Sequence, residues 1–335
     1  ACFSGDARIT LLDNDYMRRS VVCLLLSCAA VAGCSKRAHD PAVAANAGHA
    51  AIVLPDAWPY AHTENSVTAA HGMVATDAPI ATHVGAEVLR NGGNAVDAAV
   101  ATAFALAVAY PAAGNLGGGG FLVVHMGDGR EAALDLREVA PHAASRNMYV
   151  DTSGHSEERS ITGHLSAGVP GSVEGLWEAH QRFGSRPWAQ LVAPAIALAD
   201  TGFVVDSDFA HAIHYDSARL SRYPASAALF LPGGHAPQPG ERWRDPDLAA
   251  VLRRIAADGP KGFYGGRTAE LIAAEMRRGH GLITQEDLAS YKAKWRDPIV
   301  FTYRGDKVSS MPPPSSGGIT MALVAHELAR FHMKG

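Results

Sequence analysis

The sequence predicts a mixed α/β (α+β) fold with one helix buried between other elements. Three observations carry that expectation. Residues 98–109 are nearly all Ala, Val, Leu and Phe on every face, and a helix apolar all round sits in a layer rather than at a surface. Short runs at 121–125 and 133–137 flank Gly127-Asp128-Gly129, and Asp-Gly between such runs is a strong hairpin signal. Beyond them, helical spacing recurs, as in Leu248, Val251, Leu252 and Ile255.

In chain order, Gly72-Met73-Val74-Ala75-Thr76 reads as a short strand. Pro79 sits in a helical first turn, where its missing N–H costs nothing. Ile80, Val84 and Val88 give that helix one apolar stripe, and Asn91-Gly92-Gly93 supplies a left-handed stop. Asn94 caps the buried helix, which runs to Tyr110 and breaks at Pro111. It is too short to span a membrane and carries Asp97 near its start. The glycine loop 114–120 leads into the hairpin, expected to end as an alternating strand on Arg137.

Gly168-Val169-Pro170-Gly171 precedes a helix with Val173, Leu176, Trp177 and His180. Residues 188–201 form another, stopped by Gly202, with Pro194 either kinking it or dividing it. Asp245-Pro246 opens a helix that ends near Gly259, and 266–278 forms the next. Thr284 and Asp287 have capping-box spacing before Leu288. Strands are expected at 299–303 and 307–310, around Arg304-Gly305-Asp306. A rigid Pro312-Pro313-Pro314-Ser315-Ser316-Gly317-Gly318 arm enters a final helix. No internal repeat is visible.

Composition narrows the function classes. Across 335 residues, 47% are hydrophobic and 19% charged, a globular balance. With 29 basic and 33 acidic residues the net charge is -4, which gives no case for a nucleic-acid partner. All four cysteines (Cys2, Cys23, Cys28, Cys34) lie in the first tenth of the chain. The body therefore has no disulfide, thiolate nucleophile or cysteine metal site. Met17-Arg18-Arg19 followed by the apolar run 21–32 reads as a secretory signal, since a spanning helix needs roughly 20 apolar residues. Val31-Ala32-Gly33-Cys34 resembles a bacterial lipobox, making Cys34 the expected lipidation site and the location periplasmic and lipid-anchored. Residues before Met17 fit no signal, and Met17 is the expected start. The expected organisation is upstream residues and signal at 1–34, a tether at 35–64 and one folded domain at 65–335.

The constellations have competing readings. The run Gly117-Gly118-Gly119-Gly120 lacks the Lys-Ser/Thr of a P-loop, and its helix–loop–strand order is the reverse of a dinucleotide site. Close backbone packing is the simpler role. Sixteen histidines are scattered without HExxH or a carboxylate–histidine set, so no metal site is expected. No Gly-x-Ser-x-Gly elbow is present. Ser315-Ser316 fits an oxyanion or nucleophile loop less well than a structural arm. Arg137 stands out, because a guanidinium fork can take a substrate carboxylate bidentately. A strand-end salt bridge with Asp135 or Glu138 fits the same residues.

Together, Asn91-Gly92-Gly93-Asn94-Ala95-Val96-Asp97, Gly114-Asn115-Leu116-Gly117-Gly118-Gly119-Gly120-Phe121, Leu134-Asp135-Leu136-Arg137-Glu138, Gly168-Val169-Pro170-Gly171-Ser172 and the Pro312–Gly318 arm resemble the gamma-glutamyltranspeptidase family. The resemblance covers about residues 65–335. It implies an N-terminal-nucleophile hydrolase fold of αββα layers. The activity it implies is cleavage of the gamma-glutamyl bond of glutathione or related compounds, with transfer to water or an amino acid and no cofactor. It also implies a precursor that cuts itself before a threonine, which then heads a small subunit and is the nucleophile. Arg137 occupies the family's position for gripping the glutamyl alpha-carboxylate.

The family's Thr-Thr-His or Thr-Ser-His signature is absent from these residues; Ala81-Thr82-His83 lies inside the first helix. The expectation is an incomplete large subunit with no catalytic residue of its own. It should be inactive alone, with an apolar surface where its small-subunit partner packs. Two rivals remain: cephalosporin or glutaryl acylases on the same scaffold, and a non-catalytic surface lipoprotein that uses the scaffold as a binding module.

Overall fold

Capping chemistry sets the boundaries of the first half of the fold. The structure is a computed structural model that describes residues 67–151, 153–155 and 158–331. The signal, Cys34 and the tether lie outside the described residues. Helix α1 (Pro79–Arg90) carries proline in its first turn. It ends as the Gly93 N–H donates to the Val88 carbonyl and the Gly92 N–H to that of Leu89, each 2.9 Å. Gly92 adopts φ +79, where a side chain is disfavoured. In helix α2 (Ala95–Ala109), Asn94 and Asp97 form a reciprocal capping box. Ten of its 15 residues are buried, as its uniform apolarity requires.

The hairpin pairs β1 (Phe121–His125) with β2 (Glu131–Asp135), Phe121 lying opposite Asp135. The strand β5 (Lys294–Arg296) adds to β2, giving the antiparallel order β1-β2-β5. The expected alternation is absent, because residues 132–135 are all buried. β2 is the central strand, and its side chains are covered on both faces, with α3 among the elements that pack on it.

Helices α3 (Ser172–Phe183) and α4 (Trp188–Thr201) follow, and α4 runs unbroken through Pro194 to Gly202. α2 packs against both α1 and α4. Trp188 joins the layers: it meets Phe104 and Trp177 edge-on at 5.4 and 5.1 Å, and its indole N–H donates to the Ile255 carbonyl at 2.8 Å.

The stretch 203–243 contains elements the sequence reading passed over: β3 (Phe203–Val204), α5 (Ser207–Tyr215), α6 (Ser217–Leu220), α7 (Pro224–Phe230) and β4 (Arg242–Trp243). β3 and β4 pair, and Phe203, Phe209 and Phe230 surround Trp243. α8 (Pro246–Asp258), α9 (Lys261–Tyr264), α10 (Gly266–Arg278) and α11 (Gln285–Ser290) come next, α8 and α11 beginning at the expected caps Asp245 and Thr284.

The hairpin β6 (Ile299–Tyr303) and β7 (Asp306–Ser310) turns on Arg304 and Gly305, both at positive φ. Helix α12 (Gly317–Leu328) is the last described element. Ser315 Oγ accepts from the Gly317 N–H at 3.2 Å at its start.

One expected strand is missing. Residues 72–76 are not in a strand, because their backbone finds no sheet partner among the described residues. They lie beside α1 instead, where Val74 packs close to Gly85. The fold class is the expected mixed one, while the two full sheets implied by the resemblance are not formed within the described residues. No described helix is long and apolar enough to cross a membrane.

Candidate functional site

The site is built around Arg137, which lies two residues beyond β2 rather than on it. The ladder extends through Gly120 and Leu136, which exchange backbone hydrogen bonds of 3.2 and 3.1 Å. It stops there because side chains claim both backbone groups of Arg137. Its N–H donates to Asp135 Oδ1 at 3.1 Å, and its carbonyl accepts from the Tyr291 hydroxyl at 2.8 Å. Val139 then bridges to Val169.

The glycines press this segment into place. A Cβ on Gly119 would strike the Leu136 carbonyl and crowd Arg137 Cα, and one on Gly171 would strike the Leu136 carbonyl and the Tyr291 hydroxyl. The Gly118 carbonyl accepts from the N–H groups of Gly171 and Ser172, at 2.7 and 3.1 Å. Those donors open α3, so the loop occupies the place where an anion would bind a helix N-terminus. The glycine run is a packing device, as the sequence suggested.

The salt bridge expected of Arg137 is made with Glu138. The Arg137 Nε donates to Glu138 Oε2 at 3.0 Å, and its guanidinium lies 5.7 Å from the Phe121 ring centroid. Asp135 is not its ionic partner: Arg296 holds that carboxylate through Nε and Nη2 at 2.9 and 2.7 Å. The Arg137 side chain is 56% exposed, against 8% for Asp135. Among the described residues no acceptor engages its two terminal nitrogens. They form the planar fork that suits a carboxylate. An exposed ion pair such as Arg137–Glu138 contributes ~0–1 kcal/mol, which leaves the fork easy to recruit.

Tyr291 and Tyr264 support the site and were not singled out from sequence. Their rings stack 5.8 Å apart at 4°. The Tyr264 hydroxyl donates to the Pro170 carbonyl at 3.0 Å and accepts from the Glu174 N–H at 3.2 Å. Burial, joined by the nearby carboxylates of Asp135, Glu138 and Glu174, pushes the Tyr291 hydroxyl above its ordinary range, so it stays protonated as a donor. No local pattern announces a contact made 154 residues apart.

A cavity of about 220 Å³ lies among α2, α3 and the glycine loop, lined by Ala99, Ala103, Leu106, Phe121 and Leu122 among others. It has no charged lining side chain, so it does not present Arg137's fork. The histidines separate into local pairs: His125 with Glu131, His142 with Asp287 and His164 with Glu275. Among the described residues no group of three or more His, Cys, Asp or Glu is placed to hold a metal.

Comparison with known proteins converges on one family. The gamma-glutamyltranspeptidase family profile matches residues 81–335. The chain is 46% identical over 277 residues to the glutathione hydrolase proenzyme of Pseudomonas sp. (strain A14), covering 82% of this chain and 48% of that protein. It is 39% identical over 281 residues to the acylase ACY 1 proenzyme of Pseudomonas sp. (strain V22), covering 82% and 50% respectively. Among solved structures, Helicobacter pylori gamma-glutamyltranspeptidase matches with a TM-score of 0.78 and 42% identity, over 80% of this chain and 77% of that one. The chain thus spans about half the length of the curated relatives it matches.

Proposed function

This chain belongs to the gamma-glutamyltranspeptidase family, and on that premise we propose that it forms the large-subunit part of a glutathione hydrolase and gamma-glutamyltransferase. The enzyme cleaves a gamma-glutamyl bond and passes the glutamyl group to water or an amino acid. The observation that carries the proposal is the free fork of Arg137 on a backbone pinned from both sides. A charged, planar and exposed group of this kind matches the alpha-carboxylate of a gamma-glutamyl donor, which sits far from the bond being cut. A threonine heading the small subunit of the same precursor supplies the nucleophile, its own amine the base, and backbone N–H groups the oxyanion site.

In the proenzyme carrying this chain, Arg137→Ala is expected to lower kcat/KM for a gamma-glutamyl anilide by about 100-fold, mainly through KM, while self-cleavage proceeds. Unchanged turnover refutes the clamp. The acylase similarity favours one alternative, a preference for glutaryl donors. Faster turnover of a glutaryl anilide than of the gamma-glutamyl anilide would select it.

We infer a periplasmic protein held by a lipid on Cys34, supported by the small-small-Cys pattern after a short apolar run. Cys34→Ser is expected to abolish incorporation of labelled palmitate and release the protein from the membrane fraction. Persistent labelling rules this anchor out.

A further inference from the structure

We propose that Tyr291 is a positioning residue for the Arg137 clamp, setting the guanidinium at carboxylate-binding height through the Arg137 carbonyl. The inference rests on the glutamyl-clamp reading above. An arginine can hold a small ligand tightly only if its Cα is fixed, because its long side chain already has considerable freedom to lose. Here the peptide groups on both sides of that Cα are held by side chains, one two residues upstream and one 154 residues away.

The N–H goes to Asp135, whose carboxylate is held by Arg296 on β5. The carbonyl goes to Tyr291, just after α11. Gly119 closes the third side, its α-carbon so near Arg137 Cα that a Cβ would come within 2.9 Å of it. Of these holds, Tyr291 alone depends on a single neutral hydroxyl. Its ring is already fixed by stacking on Tyr264 and is 5% exposed. Removal of the hydroxyl therefore frees one carbonyl while the ring stays packed.

The hydroxyl is also well suited to the task. It stays protonated beyond the ordinary tyrosine range, because burial and three neighbouring carboxylates oppose its ionisation. A carboxylate in its place would repel the same three groups, and a lysine would bring a charge into a buried stack.

The test uses the proenzyme with two donors, a gamma-glutamyl anilide and the 4-aminobutanoyl anilide that lacks only the alpha-carboxylate. Tyr291→Phe is expected to raise KM for the gamma-glutamyl donor by about tenfold, with kcat changed less than twofold and the 4-aminobutanoyl donor unaffected. Tyr264→Phe is the control. It removes bonds to Pro170 and Glu174 but none to Arg137, and is expected to lower Tm with KM unchanged. Equal KM effects from the two variants, or losses on both donors that follow Tm, would reduce Tyr291 to a structural role and overturn the inference. Donor discrimination lost in Arg137→Ala but intact in Tyr291→Phe overturns only this inference. Discrimination intact in Arg137→Ala removes the clamp itself.

Discussion

At the scale of single residues, Asp97 shows how a buried carboxylate can order its surroundings. Its side chain is fully buried, yet all of its contacts are donors. Oδ1 accepts from the N–H groups of Ser185 and Arg186 at 2.9 and 3.2 Å, and Oδ2 from the Asn94 N–H and Ser185 hydroxyl at 2.9 and 2.6 Å. Burial raises its pKa, but these hydrogen bonds outweigh it and hold the group below its ordinary 3.8. The folded value is depressed, so the stabilisation is fully present above the unfolded value and disappears as pH falls below about 3.8 through the folded value. Asp97→Asn places an NH2 group against these donors. It is expected to cost about 2–3 kcal/mol in neutral urea melts and to flatten the fall in stability below pH 4. Unchanged pH dependence would show that Asp97 does not control it.

At the scale of elements, local chemistry explains what the sequence made legible. Asn94, Asp245 and Thr284 cap helices by bonds spanning two or three residues. Pro79, Gly92, Gly202 and Gly305 act through their own backbone angles. The buried helix and both expected hairpins were readable for the same reason. The short helices between Ser207 and Phe230 were not read, although Asp206 caps the first and Pro224 opens the last; what holds them is the aromatic cluster at Trp243, whose members are far apart in sequence. The strand expected at 72–76 failed because a strand needs a partner, which no residue within the strand specifies. Arg137 was legible as a candidate from its type and place. Its frame was not, since Tyr291 and Arg296 reach it across 154 and 161 residues.

At the scale of the whole molecule, the last helix is the conspicuous feature. Only Gly318 of α12 is buried, while Ile319, Met321, Leu323 and Val324 are 45–63% exposed. Exposed apolar side chains grouped on one helix make a surface suited to packing against another segment or chain. The 335-residue chain alone is expected to bind a hydrophobic dye and to self-associate, and Leu323→Glu with Val324→Lys should reduce both; equal dye binding by this variant would place the sticky surface elsewhere. The central proposal is that Arg137 reads the donor's alpha-carboxylate. Its most direct test is the ratio of kcat/KM for the gamma-glutamyl anilide to that for the 4-aminobutanoyl anilide, in the proenzyme with and without Arg137→Ala. The clamp predicts a ratio of about 100 that falls to near one in the variant; a ratio that survives the substitution contradicts it.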